Sequence, residues 1–365
     1  MKFFIKFFGC QYNEWDAVRL SSILKSLGLG ETNKDDADFI FLLNCSVRKS
    51  AVDRTFGLVK NFLAQNKKVV ITGCILKDDQ RKFEKKGCLI WDGVDFEKLS
   101  KLLKINYDSR STLYSLPSTN LVPIMKGCNN FCSYCAVPYT RGREVSRLMK
   151  EILDDIEKII ETGQKEIILL GQNVNSYKDP ASVVISNDSE KSHEISRLDK
   201  SMARNDKVKN NFATLLQKIN NLPGEFIVKF TSNHPKDMSD DIIEAIATLP
   251  KVAKEIHLPL QSGSNIVLRS MNRPYTIEQY LKLVSDLKFK IKNLKLSTDV
   301  IVGFPTETEA DFQKTVAIFK KIKFAQAYIN KYSPRSGTAA FGLGDPIPWV
   351  EKDRRWRILN ELIKR

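Results

Sequence analysis

The sequence predicts an α/β protein in which a small parallel-sheet α/β domain, residues 1–105, is followed by a partial (β/α)6 barrel within residues 121–345. Short apolar runs alternate with helical stretches along most of the chain, which is the pattern of parallel sheets covered by helices. A stretch rich in Ser, Thr and Pro at residues 106–120 separates the two regions and is typical of a linker. The length of 365 residues also favours two domains.

The first region alternates predicted strands with predicted helices. The strands are Lys2–Phe8, Phe39–Asn44, Lys68–Thr72 and Leu89–Trp91. The helices are Glu14–Leu27, Ser50–Gln65 and Phe96–Leu103. Because strands that are separated by helices pair in parallel, this order indicates a small parallel sheet.

The second region repeats the same alternation over a longer stretch. Its predicted strands are Leu121–Lys126, Glu166–Gly171, Phe226–Thr231, Glu255–Leu260, Lys295–Val302 and Ala325–Tyr332. Its predicted helices are Ser146–Thr162, Asn211–Asn220, Ser239–Thr248, Ile277–Phe289 and Glu309–Lys320. A basic amphipathic helix follows within residues 346–365, and the polar residues 178–210, which lack any period, are expected to form a flexible insertion. Six strands with five intervening helices indicate an incomplete barrel, whose site would lie at the carboxyl ends of the strands.

Composition restricts the class of protein without fixing its substrate. The formal net charge of +15 is compatible with a polyanionic partner such as a nucleic acid, but also with a merely basic surface. No apolar run approaches the ~20 residues of a membrane span, and the N-terminus is not that of a secretory signal. Seven cysteines are too few for a disulfide scaffold, so we expect a cytoplasmic, reduced protein without a membrane segment.

Three cysteines of the first region stand at predicted strand ends. Cys10, Cys45 and Cys74 each come shortly after a strand. Since the carboxyl ends of parallel strands share one edge of a sheet, the three side chains are expected to converge there. The alternative is that they are three small buried core residues, the usual state of free cysteine.

Three further cysteines, Cys128, Cys132 and Cys135, form a CxxxCxxC loop directly after the first strand of the second region. Three thiolates in one loop suit three corners of a [4Fe-4S] cluster, whose fourth iron then has no protein ligand. That iron can bind S-adenosylmethionine, and Tyr134, next to the last cysteine, is an expected neighbour of the cofactor. A structural zinc site is the alternative, but no fourth Cys or His lies nearby in the sequence.

With these motifs the sequence resembles the radical-SAM methylthiotransferases over nearly its whole length, residues 178–210 excepted. The motifs that carry the resemblance are GCQYN at 9–13, NCSVR at 44–48, GC at 73–74, GCNNFCSYCAVPYTRGREVSR at 127–147, LLGQNVNSY at 169–177, TSNHPKDMSDD at 231–241, HLPLQSGSNIVLRSMNR at 257–273, TDVIVGFPTET at 298–308 and KYSPRSGTAA at 331–340.

The resemblance implies an enzyme with two [4Fe-4S] clusters and S-adenosylmethionine. Cys128, Cys132 and Cys135 would hold the cluster that cleaves the cofactor to a radical, and Cys10, Cys45 and Cys74 an auxiliary cluster that carries the sulfur to be transferred. The implied reaction converts N6-isopentenyladenosine, next to the anticodon of tRNA, to its 2-methylthio derivative. A flavodoxin- or ferredoxin-type electron donor and a monomeric state are further expectations, and Cys88 is left as a core residue.

Polar residues at other strand ends are the candidate contacts of S-adenosylmethionine. Gln172 and Asn173 follow the second strand of this region, and Gln261 and Ser262 follow the fourth. Asp299 and Gly303 lie in or just after the fifth, although Gly303 also suits a plain turn. Neither His234 nor His257 is assigned as a catalytic base, because such a histidine near a strand end is commonly a structural group.

Three arginines after the cysteine loop, Arg141, Arg143 and Arg147, are candidates for contact with tRNA phosphates. The alternative is that they pair with acidic groups at the start of a helix. The family normally carries an RNA-binding TRAM domain after its last helix; here that domain is expected to be absent and tRNA binding to be weaker.

The sequence leaves open two alternatives, one for the substrate and one for the class of protein. The same chemistry could act on threonylcarbamoyl-adenosine in tRNA or on an aspartate of a ribosomal protein. The chain could also be a catalytically degenerate iron–sulfur protein that binds RNA.

Overall fold

A five-stranded parallel sheet in the order β2-β1-β3-β4-β5 organises the N-terminal region of the computed structural model, which describes residues 1–47, 49–105, 119–182 and 211–364. Its strands are β1 Lys2–Phe7, β2 Gly30–Glu31, β3 Phe39–Asn44, β4 Lys68–Gly73 and β5 Leu89–Ile90. The helices between and after them are α1 Gln11–Ser26, α2 Lys49–Ala64, α3 Lys77–Lys85 and α4 Phe96–Leu103. The parallel sheet predicted from the alternation is thereby confirmed.

Helices cover both faces of this sheet. All six residues of β3 are buried, as a central strand of a parallel sheet requires. Because side chains alternate along a strand, Phe39, Phe41 and Leu43 pack with α1 and α4, whereas Ile40 and Leu42 pack with α2 and α3. Cys88 lies in the second of these clusters, in agreement with its expected core position.

The second region contains two three-stranded parallel sheets, β6-β9-β10 and β11-β12-β13, and a short antiparallel pair, β7-β8. The strands are β6 Leu121–Pro123, β7 Met125–Lys126, β8 Val145–Ser146, β9 Glu166–Leu170, β10 Ile227–Phe230, β11 Glu255–His257, β12 Lys295–Val302 and β13 Gln326–Lys331. A parallel bridge between Val228 and Val252 connects the end of the first sheet to the segment that leads into β11. The main strands therefore follow one another in chain order, as in the predicted partial barrel.

The helices of this region alternate with its strands. They are α5 Val137–Thr140, α6 Met149–Glu161, α7 Asn211–Asn220, α8 Asp240–Thr248, α9 Asn265–Ser270, α10 Ile277–Lys290, α11 Glu309–Ile322 and α12 Trp349–Ile363. Within the described ranges, none of the helices has the length and apolar character that crossing a membrane would require.

The chain divides into two compact units whose bounds differ from the sequence-based division. The first unit contains residues 1–121, 129–142 and 333–344, and the second contains residues 122–128, 143–332 and 345–365. Segment 129–142 contacts residues 1–121 through Arg141, whose Nε–H donates to Cys74 Sγ at 3.0 Å, and segment 333–344 does so through the Ser336 hydroxyl, which donates to Asp78. The two segments also contact each other, since the Ala340 N–H donates to the Ser133 carbonyl at 2.7 Å. Most of the predicted linker and insertion, residues 106–118 and 183–210, lies outside the described residues.

Candidate iron–sulfur sites

Cys10, Cys45 and Cys74 follow the ends of the neighbouring strands β1, β3 and β4 in the first unit. Cys45 and Cys74 are 3% and 4% exposed, whereas Cys10 is exposed at the start of α1. Gly9 has a φ of +103°, and a Cβ there would lie 2.6 Å from the Cys45 side chain, so only glycine permits this approach. The expected convergence at one sheet edge is observed; that these residues hold a cluster remains a prediction.

Two buried asparagines hold the three cysteine loops in place. Asn13 Nδ2 donates to the Phe8 carbonyl at 2.7 Å and to the Asn44 carbonyl at 2.9 Å. Asn44 Nδ2 in turn donates to the Cys74 carbonyl at 2.8 Å, and the Ser46 hydroxyl donates to the same carbonyl at 2.9 Å. Sequence reasoning missed these positioning residues, although their place beside the cysteines in the GCQYN and NCS motifs was a signal.

Arg141 is a buried cation at this site. Its side chain is only 6% exposed, and its Nε–H donates to Cys74 Sγ at 3.0 Å. Its Nη2 donates to Asn13 Oδ1 at 2.6 Å and to Asp16 Oδ2 at 2.8 Å, while the guanidinium lies 4.2 Å from the centre of the Tyr12 ring. These partners fix the guanidinium against a cysteine thiol, a different position from the tRNA contact considered from the sequence.

Burial and the charge of Arg141 have opposite effects on the pKa of the Cys74 thiol. Burial raises the pKa of Cys74 to about 11, and the positive charge of Arg141 opposes that rise. Burial would likewise lower the pKa of the Arg141 guanidinium, but the charges of Cys74 and Asp16 outweigh it and raise that pKa. Arg141 therefore lowers the free-energy cost of deprotonating Cys74 to the thiolate, the form in which a thiol binds metals.

The residue types at this edge are those that an iron–sulfur cluster uses as ligands. In the part of the chain that the structure describes, no three His, Cys, Asp or Glu side chains come close enough together to hold one ion. A [4Fe-4S] cluster is larger and binds each thiolate through a different iron. Three cysteines at adjacent strand ends, with a buried cation against one of them, match that requirement.

The cysteines of the CxxxCxxC loop lie in short, well-anchored segments. Cys128 follows β7 in the second unit and is buried. In the first unit, the Cys135 N–H donates to the Cys132 carbonyl at 2.9 Å, and the Val137 N–H points at Cys135 Sγ at 3.5 Å. An amide that donates to the sulfur favours the thiolate, the form that a cluster needs. Tyr134 is half-buried in the same turn.

Gln172 and Asn173, at the end of β9, are held by contacts within the second unit. Gln172 Oε1 accepts the Gly127 N–H at 2.5 Å and so fixes the residue before Cys128. Asn173 Nδ2 donates to Asp237 at 2.8 Å, while its Oδ1 is buried without a hydrogen-bond partner among the described residues. Gln172 is therefore tied to the cysteine loop, whereas contact of Asn173 with S-adenosylmethionine remains a prediction.

Gln261 and Ser262 follow β11, whereas Asp299 lies within β12. Gln261 has a φ of +64°, and its N–H donates to the Asp299 carbonyl at 2.8 Å, while Ser262 is fully buried. The Asp299 carboxylate lies 2.9 Å from His257 Nε2, and His257 Nδ1 lies 3.0 Å from the Ser297 hydroxyl. His257 thus orients Asp299.

His234 is also structural. Burial, together with the charges of Arg273 and Lys236, lowers its pKa to about 2, so its imidazole is neutral at physiological pH. Its Nδ1 accepts the Lys236 N–H at 3.2 Å.

Gly303 forms a tight turn at the end of β12. Its φ is +71°, and its N–H donates to Glu307 Oε2 at 2.6 Å. A Cβ at this position would collide with the aliphatic part of Lys352, which is 1% exposed and donates to the Tyr332 carbonyl at 3.0 Å. The structure thus gives Gly303 the features of the plain turn that the sequence left open.

Gly303→Ala is expected to destabilise the protein more than Gly163→Ala, its matched control in the same unit. Gly163 has a similar φ of +82°, but no atom of the described residues lies within 4 Å of its would-be Cβ. We expect a loss of about 1–2 kcal/mol for Gly163→Ala from backbone strain and about 1–3 kcal/mol more for Gly303→Ala from the collision with Lys352. Urea unfolding measures both. Equal losses combined with weaker binding of S-adenosylmethionine by Gly303→Ala would instead indicate a cofactor contact.

The remaining two arginines differ in their surroundings. Arg147 donates to the Pro123 carbonyl at 2.9 Å and to Asp155 in the middle of helix α6 at 2.7 Å. Its Nε also lies 3.8 Å from Glu151 in the first turn of that helix, where the sequence left a pairing with acidic groups open. Arg143 is exposed. That Arg143 contacts tRNA remains a prediction.

The chain is similar to known proteins over both regions. A model described as the radical SAM superfamily matches residues 122–318, and one described as uncharacterized protein family UPF0004 matches residues 2–91. The tRNA-2-methylthio-N(6)-dimethylallyladenosine synthase of Clostridium botulinum (strain Loch Maree) is 38% identical, with 99% of this chain and 81% of that protein covered. The chain belongs to this family of radical SAM enzymes. The synthase of the same name from Aquifex aeolicus is 36% identical, with 100% and 83% covered.

Solved structures show the same fold at much lower identity. The radical S-adenosylmethionine methyltransferase TsrM from Kitasatospora setae has a TM-score of 0.61 at 11% identity, with 93% of this chain and 77% of TsrM covered. The cobalamin-dependent S-adenosylmethionine radical enzyme OxsB has a TM-score of 0.57 at 12% identity, and the match spans all of this chain but 56% of OxsB. As a radical SAM enzyme, the protein uses a [4Fe-4S] cluster and S-adenosylmethionine.

Proposed function

We propose that this protein is a methylthiotransferase that converts N6-isopentenyladenosine, next to the anticodon of tRNA, to its 2-methylthio derivative. The observation that carries the proposal is the second set of three cysteines, which converge at the sheet edge of the first unit with a buried arginine against Cys74. The relatives named above are named for a tRNA nucleoside of this kind, which supplies the substrate class.

Six cysteines would hold two clusters in this proposal. Cys128, Cys132 and Cys135 would ligate the radical-generating [4Fe-4S] cluster, and Cys10, Cys45 and Cys74 an auxiliary one. When bound, a cluster at the first set of cysteines would supply the electron for cleavage of S-adenosylmethionine, and one at the second set would supply the sulfur that enters the adenine ring.

The remaining residues of the proposed site position the cysteines or bind S-adenosylmethionine. Arg141 favours the thiolate form of Cys74 that would bind iron. Asn13 fixes the cysteine loops relative to one another through its bonds to the Phe8 and Asn44 carbonyls. The candidates for contact with S-adenosylmethionine remain Tyr134, Gln172, Asn173, Gln261, Ser262, Asp299 and Gly303, with Asn173 acting through its buried Oδ1. A flavodoxin- or ferredoxin-type donor, a monomeric state and the cytoplasm as the place of action belong to the same proposal.

Expression in a strain that lacks its own isopentenyladenosine-methylthiolating enzyme tests the proposal. Mass spectrometry of the tRNA nucleosides is expected to show 2-methylthio-isopentenyladenosine restored by the wild-type chain. The strain should also lack threonylcarbamoyl-adenosine methylthiolation of its own, so that any such product comes from this chain. If only the threonylcarbamoyl derivative rises, the substrate is a different adenosine; if neither changes, the proposed activity is wrong.

Arg143→Met is expected to raise KM for tRNA about tenfold, since an exposed cation that contacts phosphate contributes to binding by neutralising charge. The reductive cleavage of S-adenosylmethionine without tRNA and the iron content should not change. Steady-state kinetics at two salt concentrations measure this, with Lys150→Met as a control for loss of one exposed charge on a nearby segment. An equal rise of KM in both variants would mean that Arg143 has no specific contact.

A further inference from the structure

Arg335 is a second buried arginine of the first unit, in the loop 333–344. Its side chain is 8% exposed, and its Nη2 has no hydrogen-bond partner among the described residues. A buried donor is nearly always paired, and a buried charged donor without a partner carries a particularly large desolvation cost. The unpaired Nη2 therefore points to a ligand of the site.

The loop that carries Arg335 is fixed on both sides of it. The Arg335 carbonyl accepts the Thr338 N–H at 3.1 Å and the Thr338 hydroxyl at 2.7 Å. The Ser336 hydroxyl donates to Asp78 of helix α3, and the Ala340 N–H donates to the Ser133 carbonyl at 2.7 Å. These hydrogen bonds fix the backbone on both sides of Arg335, and the fold of the first unit therefore determines where its guanidinium lies.

The negatively charged groups that act on Arg335 include the thiolate of Cys45, one of the three cysteines at the sheet edge. Burial lowers the pKa of Arg335, and the negative charges of Asp79, Cys45 and Asp53 oppose this. None of these groups forms a hydrogen bond with its Nη2 in the described structure. The guanidinium stays charged in spite of burial, and as a weakly hydrated planar cation it suits a soft anion.

We propose that Arg335 Nη2 donates a hydrogen bond to an anionic sulfur at the auxiliary cluster held by Cys10, Cys45 and Cys74. The inference rests on the proposed function. The sulfur is either a sulfide of the cluster itself or a hydrosulfide or thiolate bound to the iron that lacks a protein ligand. In both cases the bond stabilises negative charge on sulfur, as hydrogen bonds to cluster sulfurs do.

The test uses the full chain with Cys128→Ala, Cys132→Ala and Cys135→Ala, so that only the auxiliary cluster can assemble. Arg335→Met and Arg335→Lys are compared in this background with Arg81→Met, an arginine whose side chain is 73% exposed in the same unit. Iron and sulfide content, the midpoint potential from an EPR-monitored titration, and the Kd for methanethiolate are measured for each variant.

Either of two results supports the inference and identifies the sulfur. A midpoint potential lowered by at least ~59 mV, which is tenfold for a one-electron couple, indicates a sulfide of the cluster. A Kd for methanethiolate raised at least tenfold, with the potential unchanged, indicates sulfur on the open iron. Arg335→Lys should recover part of the effect, because it keeps the charge but not the guanidinium geometry.

Three results overturn the inference. They are an unchanged potential and Kd in both Arg335 variants, the same change in Arg81→Met, and loss of iron in both Arg335 variants, which would show a purely structural role. Absence of any cluster from the background protein itself would instead refute the proposed function, and the inference with it.

Discussion

Cys74→Ala is expected to abolish formation of the 2-methylthio nucleoside while leaving reductive cleavage of S-adenosylmethionine intact. Cys74 is one of the three cysteines that follow neighbouring strands at the sheet edge, and the buried guanidinium of Arg141 contacts its thiol. Without it, two thiols remain for a cluster that needs at least three protein ligands in this site. Iron content should fall from about eight to about four per chain.

Cys88→Ala is the matched control for this change. Cys88 is also buried in the first unit, and burial raises its pKa to about 11 as it does for Cys74, but it packs among apolar side chains. Its replacement should cost about 1 kcal/mol of stability and leave the iron content and the product unchanged. If Cys74→Ala and Cys88→Ala gave the same iron content and the same product yield, Cys74 would be a core residue and not a ligand.

Arg141→Met is expected to lower auxiliary cluster content and product formation at least tenfold. The variant leaves Asp16 and Asn13 without their buried cation, and breaking a buried ion pair from one side costs about 3–5 kcal/mol. It also removes the charge that offsets burial at Cys74, so that deprotonation of this thiol becomes less favourable. Arg141→Lys should retain part of the cluster, since the charge remains but the three-way hydrogen bonding does not.

Arg147→Met separates this effect from a general loss of charge. Arg147 pairs with Asp155 and the Pro123 carbonyl in the second unit, so its replacement should reduce stability but not auxiliary iron. Iron and sulfide analysis of both variants, together with the yield of 5′-deoxyadenosine, measures the difference. Full auxiliary iron in Arg141→Met would show that the contact with Cys74 is dispensable for ligation.

The sequence predicts most of the fold because apolar residues recur in it at the spacing of strands or of helices. Strand Phe39–Asn44, strand Lys295–Val302, helix Phe96–Leu103 and helix Asn211–Asn220 have the predicted bounds. Helix α3 was missed since only Phe83 of its nine residues is buried, which leaves almost no apolar period. The strand predicted to reach Leu260 ends at His257, shortly before Pro259, which has no N–H for the ladder.

The site is predictable only in part, for a physical reason. The edge shared by Cys10, Cys45 and Cys74 follows from the rule that parallel strands end on one side. The contact of Arg141 with Cys74 joins residues 67 positions apart, and its pair with Asp16 spans 125 positions. Pairs so far apart in the sequence leave no periodic pattern. The sequence alone therefore does not distinguish a buried arginine from an exposed one. The unpaired Nη2 of Arg335 is likewise visible only after the chain has folded.

Anaerobic incubation of the purified, reconstituted chain with isopentenylated tRNA, S-adenosylmethionine and a reductant tests the central claim most directly, with mass spectrometry of the products. We expect the wild-type chain to give both 2-methylthio-isopentenyladenosine and 5′-deoxyadenosine, and the Cys10→Ala, Cys45→Ala double variant to give 5′-deoxyadenosine alone. Formation of the 2-methylthio nucleoside by the double variant, or of 5′-deoxyadenosine alone by the wild type, would contradict the claim that the cysteines of the first unit supply the sulfur.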